Sequence, residues 1–191
     1  MFAGESENFM HEGIEGQRIA TGADSTVYRF NDEVFKVYNM ARPKKQSLDI
    51  ERILFYQEIT NKASDFLLNK NYSIGKRSHT IPVRINPIKE VFFDERISFP
   101  VSVSAFINGP DFFQAENNSD IIVFLMRSSQ TLRKLYHRDI YDLFEILSDK
   151  FSLVGIAPYP CNMKFVKYGC DLNIMITDLC GHIPELRRIS A

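Results

Sequence analysis

Two oxygen-bearing side chains, Asn162 and Asp178, bracket a stretch that reads as a β-hairpin. An apolar run (Met163, Phe165, Val166) follows the asparagine, a glycine-containing turn comes next, and a second apolar run ends at Asp178. A hairpin brings its two ends together, so an amide just before one strand meets a carboxylate just after the other. Hard oxygen donors of this kind suit Mg²⁺, a cation that usually holds phosphates in turn. Any hairpin can carry such a pair by accident, so its meaning depends on the rest of the chain. The other pointed residue is Lys36, set among Val34, Phe35 and Val37 in a β-rich run. A strand lysine can simply snorkel to an edge, or it can meet an anion.

Composition narrows the partners. The chain has 191 residues, 45% of them hydrophobic and 25% charged, with a net charge of −1. That is enough for one domain or two small lobes sharing a core. It gives no electrostatic case for nucleic acid or an anionic membrane. The short clusters Arg42-Pro43-Lys44-Lys45 and Lys76-Arg77 read as solvated loops. No apolar run approaches the roughly 18 residues of a membrane span, and the polar, acidic N-terminus shows no signal peptide. Cys161, Cys170 and Cys180 are odd in number and lack tight pairing, so a reduced, cytoplasmic protein is expected. A zinc site using them with His182 is disfavoured because C-x-x-C hooks are absent.

The elements that must position these residues follow in order. Residues 1–17 read as a flexible arm. Arg18 to Phe30 and Glu33 to Tyr38 form a hairpin turning at Asn31-Asp32, with the small residues Ala20 to Ser25 at its start. Lys44 to Leu68 carries a helical period through Leu48, Ile53, Leu54, Tyr56, Ile59, Ala63, Phe66 and Leu67. Glu51 and Glu58 lie nearly on one face of it. Residues 69–79 read as a polar loop; Ile81 to Phe93 and Arg96 to Ile107 read as two β-rich runs. The breaker cluster Asn108-Gly109-Pro110-Asp111 marks a boundary, dividing the chain into 18–109 and 110–191. Helices follow from Asp120 to Phe151, and Pro158-Tyr159-Pro160 makes a loop leading to Asn162.

This order of parts resembles that of protein kinases. The segment Ala20-Thr21-Gly22-Ala23-Asp24-Ser25-x-Val27 is similar to the family's glycine-rich loop, with only the middle glycine, Gly22, in place. Small residues there let backbone N–H groups approach phosphate. The resemblance implies that Val27 covers the adenine and Lys36 neutralises phosphates. It makes Glu58 the helix partner of Lys36, with Glu51 as second choice. Val103 to Gly109, including Ala105 and Ile107, becomes the hinge at the adenine edge. Asn162 and Asp178, the latter in Asp178-Leu179-Cys180-Gly181, match the Mg²⁺ ligands. The implied fold is α+β and two-lobed, protein-kinase-like, with a β-rich N-lobe and a truncated, mainly helical C-lobe. ATP and Mg²⁺ are the implied cofactors.

Two departures matter. His137-Arg138-Asp139 spells the family's catalytic tripeptide, but Phe144 stands where its asparagine should be, and 139–151 reads as helix. Counting back from Asn162 instead puts Ala157 at the position of the catalytic base, and a methyl group cannot take a proton. Thirteen residues follow Asp178, so a long activation segment and the usual peptide-binding platform are not expected. In size and layout the chain resembles the miniature effector kinases of the OspG and NleH type. That resemblance implies a Ser/Thr kinase active in virulence, delivered by a bacterium to the host cytosol, with a protein substrate or host partner. Other readings stay open. They are a nucleotide-binding pseudokinase serving as an interaction module, an enzyme inactivated by substitution at Ala157, a small-molecule phosphotransferase, or an unrelated α+β fold.

Overall fold

The structure is a computed structural model that describes residues 9–22, 24–38, 49–76, 79–169, 171–180, 183 and 186–188. Sequence readings that fall on Ala23, Arg42 to Lys45, Leu48, Arg77, Cys170, Gly181 and His182 lie outside the described residues. The chain is α+β and divides into two compact units. The first comprises Met1–Ile53 and Ile88–Phe106, the second Leu54–Pro87 and Ile107–Ala191. Among the described residues no helix is long and apolar enough to cross a membrane.

The first unit is built on strands β1 (Met10–His11), β2 (Ile14–Glu15), β3 (Gln17–Thr21), β4 (Ser25–Phe30) and β5 (Glu33–Tyr38). The long helix α1 (Ile50–Asn69) begins in it. Its remaining strands, β8 (Ile88–Asp94) and β9 (Phe99–Ala105), come later in the chain, after β6 (Ser73–Lys76) and β7 (His79–Ile85). Five strands form one antiparallel sheet in the order β3-β4-β5-β9-β8. Period-2 alternation sorts its side chains. Tyr28, Phe30, Phe35, Val37, Val101 and Val103 form one buried cluster with Phe9, each large side chain worth about 1.5–3 kcal/mol of burial.

Phe9 corrects the expectation of a loose arm over its last residues. Its ring is 2% exposed and lies 5.4 Å from Tyr28, 5.7 Å from Phe30 and 6.0 Å from Phe35. A hairpin of β1 and β2 follows, and the Gly16 N–H donates to the Phe9 carbonyl at 2.9 Å. An aromatic residue that can reach a sheet's apolar face is worth more buried than solvated, even inside a polar, acidic stretch.

The second unit holds most of α1 and β6, β7, α2 (Phe112–Ala115), α3 (Ser119–Arg127) and α4 (Leu132–Lys134). A π-helical turn, Leu135–Ile140, joins α4 to α5 (Tyr141–Phe151). After these come β10 (Leu153–Val154), a 3₁₀ turn (Pro160–Asn162), β11 (Met163–Tyr168), β12 (Asp171–Ile176) and β13 (Arg187–Arg188). The expected hairpin is β11–β12, and it joins a four-stranded sheet, β11-β12-β7-β6, through a parallel β12–β7 pairing.

Three strand expectations change. The polar loop over 69–79 contains β6, whose one large apolar residue, Ile74, gives too little alternation to read as a strand. The run Ile81 to Phe93 is two strands broken at Asn86-Pro87: the proline cannot donate to a ladder, and the Asn86 N–H goes to the Ile176 carbonyl at 2.8 Å. Likewise β9 starts only at Phe99, because Asp94 closes a turn that Ser98 completes with positive φ.

Glycine geometry makes a stability test. A Cβ on Gly109 would stand 2.4 Å from the Phe165 carbonyl oxygen, which is backbone and held in β11. One on Gly22 would meet nothing closer than 3.7 Å. Chemical denaturation should therefore find Gly109→Ala destabilised by about 1–3 kcal/mol and Gly22→Ala changed by less than about 0.5 kcal/mol.

Candidate nucleotide and metal site

In the first unit, the ladder registers place three residues singled out from the sequence in a single row. Ala20 pairs with Val27, Val27 with Lys36, and Lys36 with Ser102. Directly opposed residues share a face, so Ala20, Val27 and Lys36 lie on the face away from the aromatic cluster. Val27 and Lys36 are half-buried and Ala20 is exposed. The small-residue loop is shorter than the spelling implies, since Ala20 belongs to β3 and Ser25 to β4. The Gly22 N–H donates to the Ser25 carbonyl at 2.8 Å, so that amide is committed to the turn. Ala105 ends β9 opposite Glu33, and the next amide, Phe106 N–H, donates to the Asp32 carbonyl at 2.7 Å. Ile107 opens the second unit's later segment and is half-buried.

In the second unit, hairpin register sets the metal-ligand candidates. Met163 pairs with Ile176, and one residue further out the Thr177 N–H and hydroxyl both donate to the Asn162 carbonyl, at 2.8 and 3.1 Å. Asn162 is thereby fixed opposite Thr177, and Asp178 is the next residue. The Asn162 N–H donates to the Tyr159 carbonyl at 2.9 Å, locking the 3₁₀ turn, and the Cys161 thiol reaches its side-chain oxygen at 3.5 Å.

Asp178 is held at Oδ1 by two donors, one of them a residue the sequence reading left in the core. The Tyr56 hydroxyl on α1 donates to Asp178 Oδ1 and accepts the Leu179 N–H at 3.2 Å. The Cys180 N–H approaches the same oxygen at 3.4 Å. Tyr56 is 1% exposed; its place in the apolar stripe with Ile53, Ile59 and Ala63 hides the hydroxyl's role. The available signal was the rule that a buried phenol finds a polar partner.

Ala157 lies close by along the backbone, its N–H donating to the Leu179 carbonyl at 3.1 Å. It lines a cleft of about 400 Å³ with Tyr141, Phe144, Ser148, Ile156 and Pro158, and with the carboxylates Glu145 and Asp149. The loop before Asn162 is anchored by Tyr136, whose hydroxyl donates to the Pro158 carbonyl at 3.0 Å. Burial, and then Tyr141 beside it, push the Tyr136 phenol up to about 12, so it remains a donor across the physiological range. His137-Arg138-Asp139 sits in the π-helical turn, with Asp139 bound to its neighbour Arg138 at 2.6 Å.

Glu58 is exposed on α1, and its Oε1 is taken by Lys62 at 2.5 Å and Arg188 at 2.8 Å. Arg188 also lies over the Phe55 ring at 5.6 Å. Glu51, the second choice, is exposed in the helix's first turn.

The donor set fits Mg²⁺. An amide oxygen and a carboxylate are hard ligands, and a cation that keeps waters and phosphate oxygens needs only one or two from the protein. Among the described residues no group of three or more His, Cys, Asp or Glu side chains converges on a metal position. Asn162 and Asp178 would therefore hold such a cation only together with its phosphates.

No protein-family model matches the chain, and no curated protein matches it. Solved structures of the Mycobacterium tuberculosis PknI kinase domain are similar to it at 12% identity. One double-mutant form aligns with a TM-score of 0.48 over 86% of this chain and 59% of that one. The domain without those mutations aligns at 0.44 over 92% and 62%. The chain spans about three fifths of the length of these domains, and likeness at this level assigns no residue a role.

Glu58 gives a test that needs no ligand. The Lys62 ammonium bonded to it, with Arg188 beside it, holds its carboxyl below the usual range. A carboxyl depressed in the folded state stabilises above its unfolded value, and that contribution is lost as pH falls through the folded value. NMR titration should find Glu58 titrating below the usual glutamate range. Arg188→Ala should raise it only slightly, because Lys62 is the larger cause.

Proposed function

We propose that the chain is an atypical, protein-kinase-like ATP/Mg²⁺ phosphotransferase. The observation that carries this reading is that the Thr177 bonds to the Asn162 carbonyl fix Asn162 opposite the residue before Asp178, at the open end of β11–β12. It is supported by the row Ala20, Val27, Lys36 on one sheet face. The element order supports it too: hairpin, lysine strand, helix with Glu58, strands, Gly109-Pro110, helices, and the Asn–Asp hairpin. In this reading residues 18–109 and 110–191 act as the two lobes. Val27, Ala105 and Ile107 take the adenine, and Ala20, Gly22 and Ser25 border the phosphates. Lys36 is their counter-charge; Glu58, the helix partner expected from the sequence, is instead bonded to Lys62 and Arg188. Asn162 and Asp178 carry Mg²⁺, which when bound neutralises charge on the transferring phosphoryl group. The acceptor is a protein Ser/Thr, and the setting is that of a bacterial effector acting on a host protein in the cytosol.

A second reading is favoured by one observation. The residue at the position of the base is Ala157, tied through its backbone to Leu179 and offering only a methyl group. The nucleotide and metal residues would then serve a pseudokinase that acts through contacts.

The first test is thermal unfolding with ATP or ADP, with and without Mg²⁺. A ligand that binds only the folded state raises the melting temperature by mass action; at about 100 times its Kd the gain is about 2.7 kcal/mol. A Mg²⁺-dependent rise is expected for the unaltered chain and absent from Lys36→Ala and Asp178→Ala. No rise under any condition would end the phosphotransferase reading.

The second test separates the two readings. Labelled-ATP transfer to a Ser/Thr protein mixture should be measurable with Ala157 in place and should rise by about 10²-fold or more in Ala157→Asp, the size of a general-base contribution. Nucleotide binding with no transfer by the unaltered chain would favour the contact-making role.

A further inference from the structure

We infer that Tyr56 is the positioning residue for Asp178, and that its hydroxyl sets the Mg²⁺ affinity of the nucleotide site. This deepens the proposed function and rests on it. The hydroxyl has one hydrogen to give and gives it to Asp178 Oδ1; it also accepts the Leu179 N–H. One atom therefore holds both the side chain and the following peptide of the segment that carries the metal ligand. A carboxylate held at one oxygen has its plane set, and the Cys180 N–H on the same oxygen restricts it further. The direction of the second oxygen is thus fixed before any cation arrives, which removes an ordering cost from metal binding.

The ring is immobile enough to do this. Tyr56 is 1% exposed and sits within a 20-residue helix, between the buried residues Ile53 and Ile59. Ser64, two turns further on, donates to the Ile85 carbonyl at 2.9 Å and ties the helix to β7, while β7 pairs with β12, the strand that ends just before Asp178. Helix, sheet and metal ligand are thus one connected frame, closed by the phenol. A phenylalanine at position 56 would fill the same core space and leave Asp178 and the Leu179 N–H without that clamp. The role is positional: Tyr56 touches no nucleotide atom in this account.

The experiment measures the Mg²⁺ concentration for half of the ADP-induced rise in melting temperature, in the unaltered chain and in Tyr56→Phe. Tyr56→Phe should raise that midpoint about ten-fold, the effect of one ordinary hydrogen bond, while the shift given by ADP without metal stays the same. A loss of core packing alone would lower both responses together, and that result overturns the inference, as does an unchanged midpoint. No Mg²⁺-dependent response in the unaltered chain would instead sink the site reading itself, and this inference with it.

A second measurement leaves the side-chain set intact should Tyr56→Phe not fold. With 3-fluorotyrosine at the eight tyrosines, one ¹⁹F resonance should move when Mg²⁺ is added to the ADP-loaded chain and stay put with ADP alone. If none moves, Tyr56 does not report on the metal and the inference fails.

Discussion

The β11–β12 ladder is the constraint on which the proposed site depends. Strand pairing has a period of two and no tolerance for slippage when one face is buried. Met163 and Phe165 on β11, with Leu172, Ile174 and Ile176 on β12, bury that face, and their register leaves Asn162 and Thr177 opposed at the open end. A shift of one residue would turn the apolar set of one strand to the other face and put another residue than Thr177 opposite Asn162. Apolar burial, an undirected force, thereby determines which residues stand at the hairpin's open end.

The same logic runs in the first unit. Aromatic residues at Tyr28, Phe30 and Phe35 claim one face of the sheet, so Ala20, Val27 and Lys36 are left on the other by alternation alone. Lys36 therefore takes its direction from its neighbours. The hairpins and this alternation were legible because each is local: a turn signal flanked by β-branched and aromatic residues. The parallel β7–β12 pairing joins segments far apart in sequence and leaves no mark in either. Strand β6, with Gly75 and a single large apolar residue, exists because β7 offers it an edge.

At the site, residue types were legible and the hydrogen bonds that hold them were not. Asn162 and Asp178 declare themselves as oxygen donors, whereas Tyr56 and Tyr136 read as apolar bulk because their rings keep helical spacing. Their hydroxyls act on backbone and carboxylate from other elements, information that exists only once the chain has folded. The acidic arm misled for a related reason: charge density suggested solvation, yet the rings of Phe9 and His11 pack on the sheet's aromatic residues.

The most direct measurement is paramagnetic broadening by Mn²⁺, a stand-in for Mg²⁺, on the ¹⁵N-labelled chain with ADP present. Broadening centred on the Asn162 side-chain amide and the Thr177 to Leu179 amides, dependent on ADP, is the predicted result. Broadening centred elsewhere, or equal with and without ADP, would contradict a metal–nucleotide site at the end of this hairpin.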